Sequence, residues 1–283
     1  MKRIAVLTDT NSGLTPAQAE RYGVFLIPMP IILDGKTYFE DVSITPEEFY
    51  PRLAAGSMVS TSQPSPGDVA DLWERLLEKY EKVIYIPMSS GLSGSWQTSA
   101  ILAEEYGGRV LTVNNRRISV TLRQSVLEAK RLAEEGAEAE EIAARLEREG
   151  LDASIYIAVN TLDLLKRSGR VTAAGAAIGT ALQIKPVLQI QGDKLDAYKK
   201  VRGIKAAMLT IIEGLESDRA GRFAGKPVSI RAAYTGSEET GEKWRLVLQS
   251  AFPDLAIEKD PLPLSIACHT GTDALGVGIM PET

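Results

Sequence analysis

VIYIPMSSGLSGSWQTSAILAEEY, residues 83–106, is the stretch whose pattern decides the fold. Val83 to Met88 is a short, continuous apolar run of the kind that a strand buried on both faces requires. Ser89 to Ser95 follows as a polar loop with two glycines, and from about Trp96 to Tyr106 the apolar spacing is helical. Strand, loop and helix in that order make half of a parallel crossover unit, and open sheets of such units bind ligands beyond the carboxyl ends of their strands. The same order stands at the N-terminus, where Ile4 to Leu7 ends in TDTNSG, residues 8–13. Thr15-Pro16-Ala17-Gln18 then supplies a capping hydroxyl, proline at the first helical position and an amide three residues on. Thr45-Pro46-Glu47-Glu48 repeats this signature, and Ser65-Pro66-Gly67-Asp68 is a looser copy.

Between the first two caps, Val24 to Leu33 is expected to form a hairpin with Lys36 to Phe39 across Asp34-Gly35. Arg109 to Val113 reads as a strand, and Ser119 to Glu135 and Ala139 to Glu149 as helices. The acidic run within 134–149 keeps its Leu and Ala spacing and reads as a solvated helix face. After Gly150 the pattern changes. Ser154 to Val159 is a strand, Thr161 to Arg167 a short helix and Ala173 to Leu182 a small-residue helix, while Lys185 to Gln191 and Lys194 to Val201 face each other across Gly192-Asp193. Gly203 to Leu215 and Glu238 to Ala251 read as helices and Val228 to Tyr234 as a strand. A final strand is expected to run into His269, ahead of a glycine-rich end. The expectation is an α/β protein of two domains: residues 1–152, a parallel α/β/α sheet carrying the ligand loops, and residues 153–283, a mixed, partly antiparallel α+β domain.

A chain of 283 residues suits two domains of roughly 150 residues each. Hydrophobic residues at 44% and charged residues at 24% describe an ordinary globular protein. With 32 Lys and Arg against 37 Asp and Glu, the net charge of −5 argues against a nucleic-acid partner. One Cys and one His exclude a four-ligand structural zinc site and an intrachain disulfide, and they fit a reducing cytosol. MKRIAVLTDT lacks a signal-peptide core, and no run of about 18 apolar residues occurs, so the expected location is cytoplasmic. Neither GxxxxGKS/T nor GxGxxG after a strand is present, so nucleotide binding has no support, and no metal or cofactor is expected.

The loop at 89–95 offers four hydroxyls and two glycines at a helix N-terminus, a ready site for an anion, although a plain N-cap and turn would use the same residues. TSQPSPG, residues 61–67, has the same character ahead of another helix. His269 is the one imidazole available to any chemistry. Cys268, next to it on the expected strand, would face the other way and be buried. Lys166, Arg167, Arg170, Lys185, Lys199, Lys200, Arg202 and Lys205 make the start of the second domain locally basic, as a docking face or a solvated surface. Gly91-Leu92-Ser93-Gly94 matches the hydrolase elbow GxSxG until Ser95, and Ser93, Asp254 and His269 stand in hydrolase order. A serine esterase using Ser93 and His269 is therefore the alternative function.

Taken together, TSQPSPG at 61–67, SSGLSGSWQTSA at 89–100, LDLLKRSGRV at 162–171, LQIKPVL at 182–188, KKVRG at 199–203 and HTG at 269–271 resemble the DegV family of bacterial fatty-acid-binding proteins. The resemblance runs essentially end to end. It implies a two-domain DegV-like α/β protein that holds a long-chain fatty acid, about 14 to 18 carbons, in an interdomain tunnel, with no turnover of its own. Thr61 and Ser93 would be the principal carboxylate donors, with Ser62, the Gly94 N–H and His269 completing the network. In relatives that serve as fatty acid kinase subunits, a kinase related to dihydroxyacetone kinase phosphorylates the bound acid, giving an acyl phosphate for phospholipid synthesis. Arg167, Arg170 and Arg202 would then serve the kinase interface or the phosphate, and transient membrane contact is compatible with the ligand. Two segments depart from the family's common pattern. Asn114-Asn115-Arg116-Arg117 replaces an Asp-Ser or Asp-Thr pair, and His269-Thr270-Gly271-Thr272-Asp273 replaces His-x-Gly-Pro-Gly.

The energetics suit such a ligand. Roughly 15 buried methylenes contribute about 12 kcal/mol gross at about 0.8 kcal/mol each. A carboxylate brought out of water costs several kcal/mol unless it is hydrogen-bonded, and hydroxyls, helix-end N–H groups and an imidazole are the means to offset that.

Overall fold

The structure, a computed structural model, describes residues 2–177, 184–192 and 194–282. The later part of the helix expected over Ala173 to Leu182, the first two residues of LQIKPVL, and Asp193 lie outside them. The strands in chain order are β1 (Lys2–Asp9), β2 (Phe25–Ile27), β3 (Pro30–Leu33), β4 (Lys36–Phe39), β5 (Val59–Thr61), β6 (Tyr80–Ile86) and β7 (Val110–Thr112). They continue as β8 (Ser154–Ala158), β9 (Ile184–Ile190), β10 (Asp196–Arg202), β11 (Val228–Tyr234), β12 (Glu258–Pro261) and β13 (Leu275–Pro281). Among the described residues they form sheets of order β2-β1-β6-β7, β10-β9-β8-β13-β11-β12 and β4-β3-β5. The chain divides into two compact units, Met1–Pro30 with Thr61–Leu151, and Ile31–Ser60 with Asp152–Thr283. Residues 31–60, which the sequence reading placed in the first domain, therefore group with the second. Their Ile31, Leu33, Ile44 and Phe49 share a buried cluster with Leu264, Ala267 and Cys268.

In the first unit every strand pair is parallel, as the apolar run at 83–88 requires. Ala5, Leu7, Val69, Trp73, Val83, Tyr85 and Val110 form its core on one face. The sheet order has a direct consequence for ligand binding. From β1 the chain leaves toward β2 on one side, and from β6 it leaves toward β7 on the other, so the carboxyl ends of β1 and β6 flank a topological switch point. The three helix starts read from sequence are all present. Thr15 and Thr45 close capping boxes with Gln18 and Glu48, and Ser65 accepts the Asp68 N–H. Each cap stabilises its helix by about 1 kcal/mol.

The run from Val24 to Leu33 is not one strand. Phe25–Ile27 joins the parallel sheet, and only Pro30–Leu33 pairs with β4. Pro28 and Pro30, which lack N–H donors, separate the two pieces. Asp34 and Gly35 both have positive φ, 51° and 79°, as a two-residue type I′ hairpin turn demands.

The second unit carries the six-stranded sheet, antiparallel throughout except for β11 with β12. Tyr156, Ile211, Trp244, Leu248, Val277 and Ile279 lie in its main buried cluster. The glycine-rich end takes an element, and the expectation for the segment before it is corrected. The glycine-rich end is β13, between β8 and β11 in mid-sheet, where Gly276 and Gly278 alternate with buried Leu275, Val277 and Ile279. Trp244 Nε1 donates to the Gly276 carbonyl at 2.7 Å across this packed surface. The segment before it, expected to be a strand ending at His269, is the helix Leu264–Thr270. Its N-cap, Pro263, makes no side-chain cap, and the Leu264 N–H instead donates to Glu40 Oε2 at 2.9 Å, from 224 residues earlier. Cys268 and His269 are thus about 100° apart on a helix and not on opposite faces of a strand. Cys268 is buried as expected. No helix among the described residues is long and apolar enough to cross a membrane.

Candidate functional site

The serine loop is wound by its own backbone. Ser89 N–H donates to the Arg117 carbonyl at 2.8 Å, and the Ser89 carbonyl then accepts the N–H groups of Leu92 and Ser93 at 3.0 and 3.1 Å. Ser89 Oγ also accepts the Gly91 N–H at 3.2 Å. These bonds bring Ser93 Oγ to within 2.8 Å of Ser95 Oγ and place it where it accepts the Ser95 N–H at 3.2 Å. With Ser95 as donor of the hydroxyl pair, the Ser93 proton is left for an outside acceptor. The helix Ser95–Ala103 begins at Gly94, which has no side chain to cap it, so the first-turn N–H groups after that of Ser95 add donors and a favourable dipole. The Trp96 indole N–H is buried without a hydrogen-bond partner among the described residues.

The second hydroxyl segment meets this loop through Gln63, which the sequence reading quoted within TSQPSPG and gave no role. Thr61 is the last residue of β5 and is half-buried; Ser62 is exposed, its N–H donating to the Pro30 carbonyl at 3.3 Å. Gln63 Nε2 donates to Thr98 Oγ1 at 2.9 Å on the helix that follows the serine loop. A Cβ on Gly94 would lie 2.8 Å from Gln63 Oε1, the far end of a flexible side chain, so any larger residue there must displace Gln63. Gly94→Ala is expected to push Gln63 off Thr98 and cost about 1 kcal/mol, the worth of an ordinary hydrogen bond. Thermal denaturation checks this, and the cost should vanish in a Gln63→Ala background; an undiminished cost there would place the clash elsewhere.

In the second unit His269 sits in the last turn of Leu264–Thr270, which packs on the helices Asp163–Ser168 and Pro46–Ala54. Burial, with the nearby Arg170 guanidinium adding to it, lowers the imidazole pKa to about 4. His269 is therefore neutral at pH 7 and offers a hydrogen bond, not a charge. Because its folded pKa lies below the ordinary 6.5, the folded state resists protonation, and stability is lost as the pH falls from 6.5 toward 4. Since the chain has one histidine, NMR titration of the imidazole should give a single midpoint near 4; a midpoint at the ordinary value would mean that the ring is solvated. Arg170 is half-buried and donates to the Ser168 carbonyl, whereas Arg167 is exposed on the helix Asp163–Ser168 and Arg202 is exposed at the end of the edge strand β10. The structure thus gathers Thr61, Ser62, Ser93 and Gly94 in the first unit, and His269 with Arg170 in the second.

The hydrolase alternative loses its acid. Asp254 is exposed and paired with the Arg219 guanidinium, and the cation acting on His269 opposes the imidazolium that a general base must become.

Comparison with known proteins places this geometry. The family model described as "Uncharacterised protein, DegV family" matches residues 3–282. The chain belongs to the DegV family. A DegV domain-containing protein of Deinococcus radiodurans is 31% identical over 282 residues, covering 98% of each chain. Among solved structures, the chain is similar to a fatty-acid-binding DegV family protein from Thermus thermophilus, with a TM-score of 0.89, 34% identity, and coverage of 99% of this chain and 100% of that one. It is also similar to DegV, a fatty acid binding protein from Bacillus subtilis, with a TM-score of 0.86, 26% identity and full coverage of both chains.

Both departures of this DegV-family chain from the common pattern have a structural account. Arg117 Nε donates to the Gly150 carbonyl at 3.1 Å, Nη2 to the Glu149 carbonyl at 2.6 Å and Nη1 to Ser125 Oγ at 3.0 Å. Asn115 Nδ2 donates to the Leu146 carbonyl at 2.9 Å. The segment 114–117 therefore closes the C-terminal end of the helix Ala139–Arg148, while its backbone holds Ser89. After His269, the Thr272 carbonyl accepts Asn160 Nδ2 at 2.9 Å, and Asp273 takes a positive φ of 56°.

Proposed function

We propose that this chain binds a long-chain fatty acid, with Thr61 and Ser93 as the principal carboxylate donors and Ser62, the Gly94 N–H and His269 as their partners. The observation that carries the reading is the Ser93–Ser95 hydroxyl pair at the start of an uncapped helix, beside a topological switch point and joined by Gln63 to the Thr61 segment. Such a site offers neutral donors, which hold a carboxylate without a buried counter-ion. The fatty-acid-binding relatives at 26 and 34% identity support the same ligand class. Native mass spectrometry of the purified protein, followed by organic extraction, should find a fatty acid of about 14 to 18 carbons. A protein that carries no lipid and binds none on titration would overturn the reading. If His269 meets the carboxylate, its titration midpoint rises when the acid is added, because a neighbouring anion favours the imidazolium.

The bound carboxyl group is then presented to a kinase related to dihydroxyacetone kinase, which phosphorylates it to an acyl phosphate. Arg167, Arg170 and Arg202 serve that partner or the phosphate. Incubation of the lipid-loaded chain with such a kinase and ATP, with hydroxylamine to trap the acyl phosphate, tests this step. Absence of the hydroxamate would leave a carrier without this partner.

A further inference from the structure

The residue that aims the serine loop lies outside it, at the end of a different strand. Pairing of β1 with β6 runs as far as Thr8 opposite Ile86, and Thr8 Oγ1 donates to the Ile86 carbonyl at 2.7 Å. Beyond that point β1 pairs only with β2, at Asp9 opposite Ile27, before it enters the 3-10 turn Thr10–Ser12, so its backbone gives β6 no further ladder bond. The Asp9 side chain takes over. Its Oδ2 accepts the Met88 N–H at 2.8 Å, and its Oδ1 accepts the Asn11 N–H at 2.9 Å. Asn11 Nδ2 also reaches Met88 Sδ at 2.8 Å. The next N–H, that of Ser89, is held by the Arg117 carbonyl at 2.8 Å. Two successive residues are thus pinned from two sides immediately before the carbonyl of Ser89 winds the chain onto Leu92 and Ser93.

Asp9 is fully buried, and burial raises its pKa to about 6. A carboxylate there is expensive, and its use is specific: Met88 N–H and Asn11 N–H are each accepted by a separate oxygen of one short side chain, and Asn and Ser have only one side-chain oxygen each. We propose that Asp9 is a positioning residue for the carboxylate-holding loop, fixing Met88 so that Ser93 is presented to the ligand. The inference rests on the reading of that loop as the carboxylate site.

The test compares the wild-type chain with Asp9→Asn and Asp9→Ala in two measurements. The first is amide exchange at Met88, Leu92 and Ser93, with Val6 and Ile84 in the sheet as internal controls. The second is binding of hexadecanoic acid and of hexadecanol, which share a tail and differ in the headgroup. Exchange at the three loop amides should quicken about tenfold with the controls unchanged, and the acid should bind about tenfold more weakly while the alcohol stays within about twofold. Asp9→Asn preserves volume and keeps the test available where Asp9→Ala does not fold. Equal weakening of acid and alcohol, or unchanged exchange in both variants, would overturn the assignment. Faster loop exchange in a protein whose wild type binds neither lipid would uphold Asp9 as the residue that sets the loop and remove the fatty-acid reading instead.

Discussion

Joint replacement of Thr61 and Ser93 by alanine is expected to weaken fatty-acid binding by about 3 to 4 kcal/mol, a few hundredfold, since each hydroxyl donating to a charged oxygen is worth about 1.5 to 3 kcal/mol. The acyl chain retains its apolar contacts in the double variant, so the loss should fall on the acid and spare an uncharged analogue. Arg167→Ala should change the same affinity by less than about twofold, because Arg167 is exposed on its helix and its charge is screened by water. Titration calorimetry on delipidated protein measures all three variants. Equal losses from the hydroxyl pair and from Arg167 would show that the ligand site and the docking face are not separate.

Arg117→Ala is expected to destabilise the fold by about 5 kcal/mol, from three hydrogen bonds of a charged donor at about 1.5 kcal/mol each and about 0.5 kcal/mol for a cation at a helix C-terminus. Arg117 is 7% exposed, and its guanidinium spans the Glu149 carbonyl, the Gly150 carbonyl and Ser125 Oγ. Substitution at Gly150 does not offer an escape route, since a Cβ there would lie 2.3 Å from the Asn115 carbonyl oxygen. The helix end and the segment at 114–117 are therefore interlocked. Urea denaturation should show a lower midpoint with an unchanged slope. A loss below about 1 kcal/mol would mean that water replaces the guanidinium at both carbonyls.

The serine loop and the Asp9 contacts show how the first unit divides its labour. Its parallel sheet is the base, and Ser93 and Gly94, proposed above as carboxylate donors, stand on the loop after β6. What surrounds that loop sets its geometry: Asp9 and Arg117 at its start, Gln63 against Gly94 at its end. None of these three was assigned a role from sequence. Asp9 reads as one polar residue in a polar loop, Arg117 as a departure from a familiar pattern, and Gln63 as a letter in a motif.

Local signals were legible because their causes are local. A hydroxyl three residues before a free N–H caps a helix wherever it occurs, which is why Thr15, Thr45 and Ser65 marked three helix starts correctly. The apolar run at 83–88 could only be a strand covered on both faces, and Asp34-Gly35 could adopt the positive φ values that a tight hairpin needs. The segment before Gly271 had no such local cause. Ile266, Cys268 and Thr270 suit a strand, and the helix is started by Glu40, a carboxylate from 224 residues earlier that burial holds at a pKa of about 7. The same is true of Gly276 and Gly278, which become mid-sheet residues only because β8 and β11 flank them and Trp244 reaches the Gly276 carbonyl. Residues 31–60 join the second unit for a like reason, since their apolar side chains find Leu264, Ala267 and Cys268. Periodicity, caps and turn residues determined the elements, because backbone hydrogen bonding within a few residues decides them. Tertiary structure decided the partners of Glu40, Asp9 and Gln63, because a buried polar group takes whichever donor the packed chain brings to it.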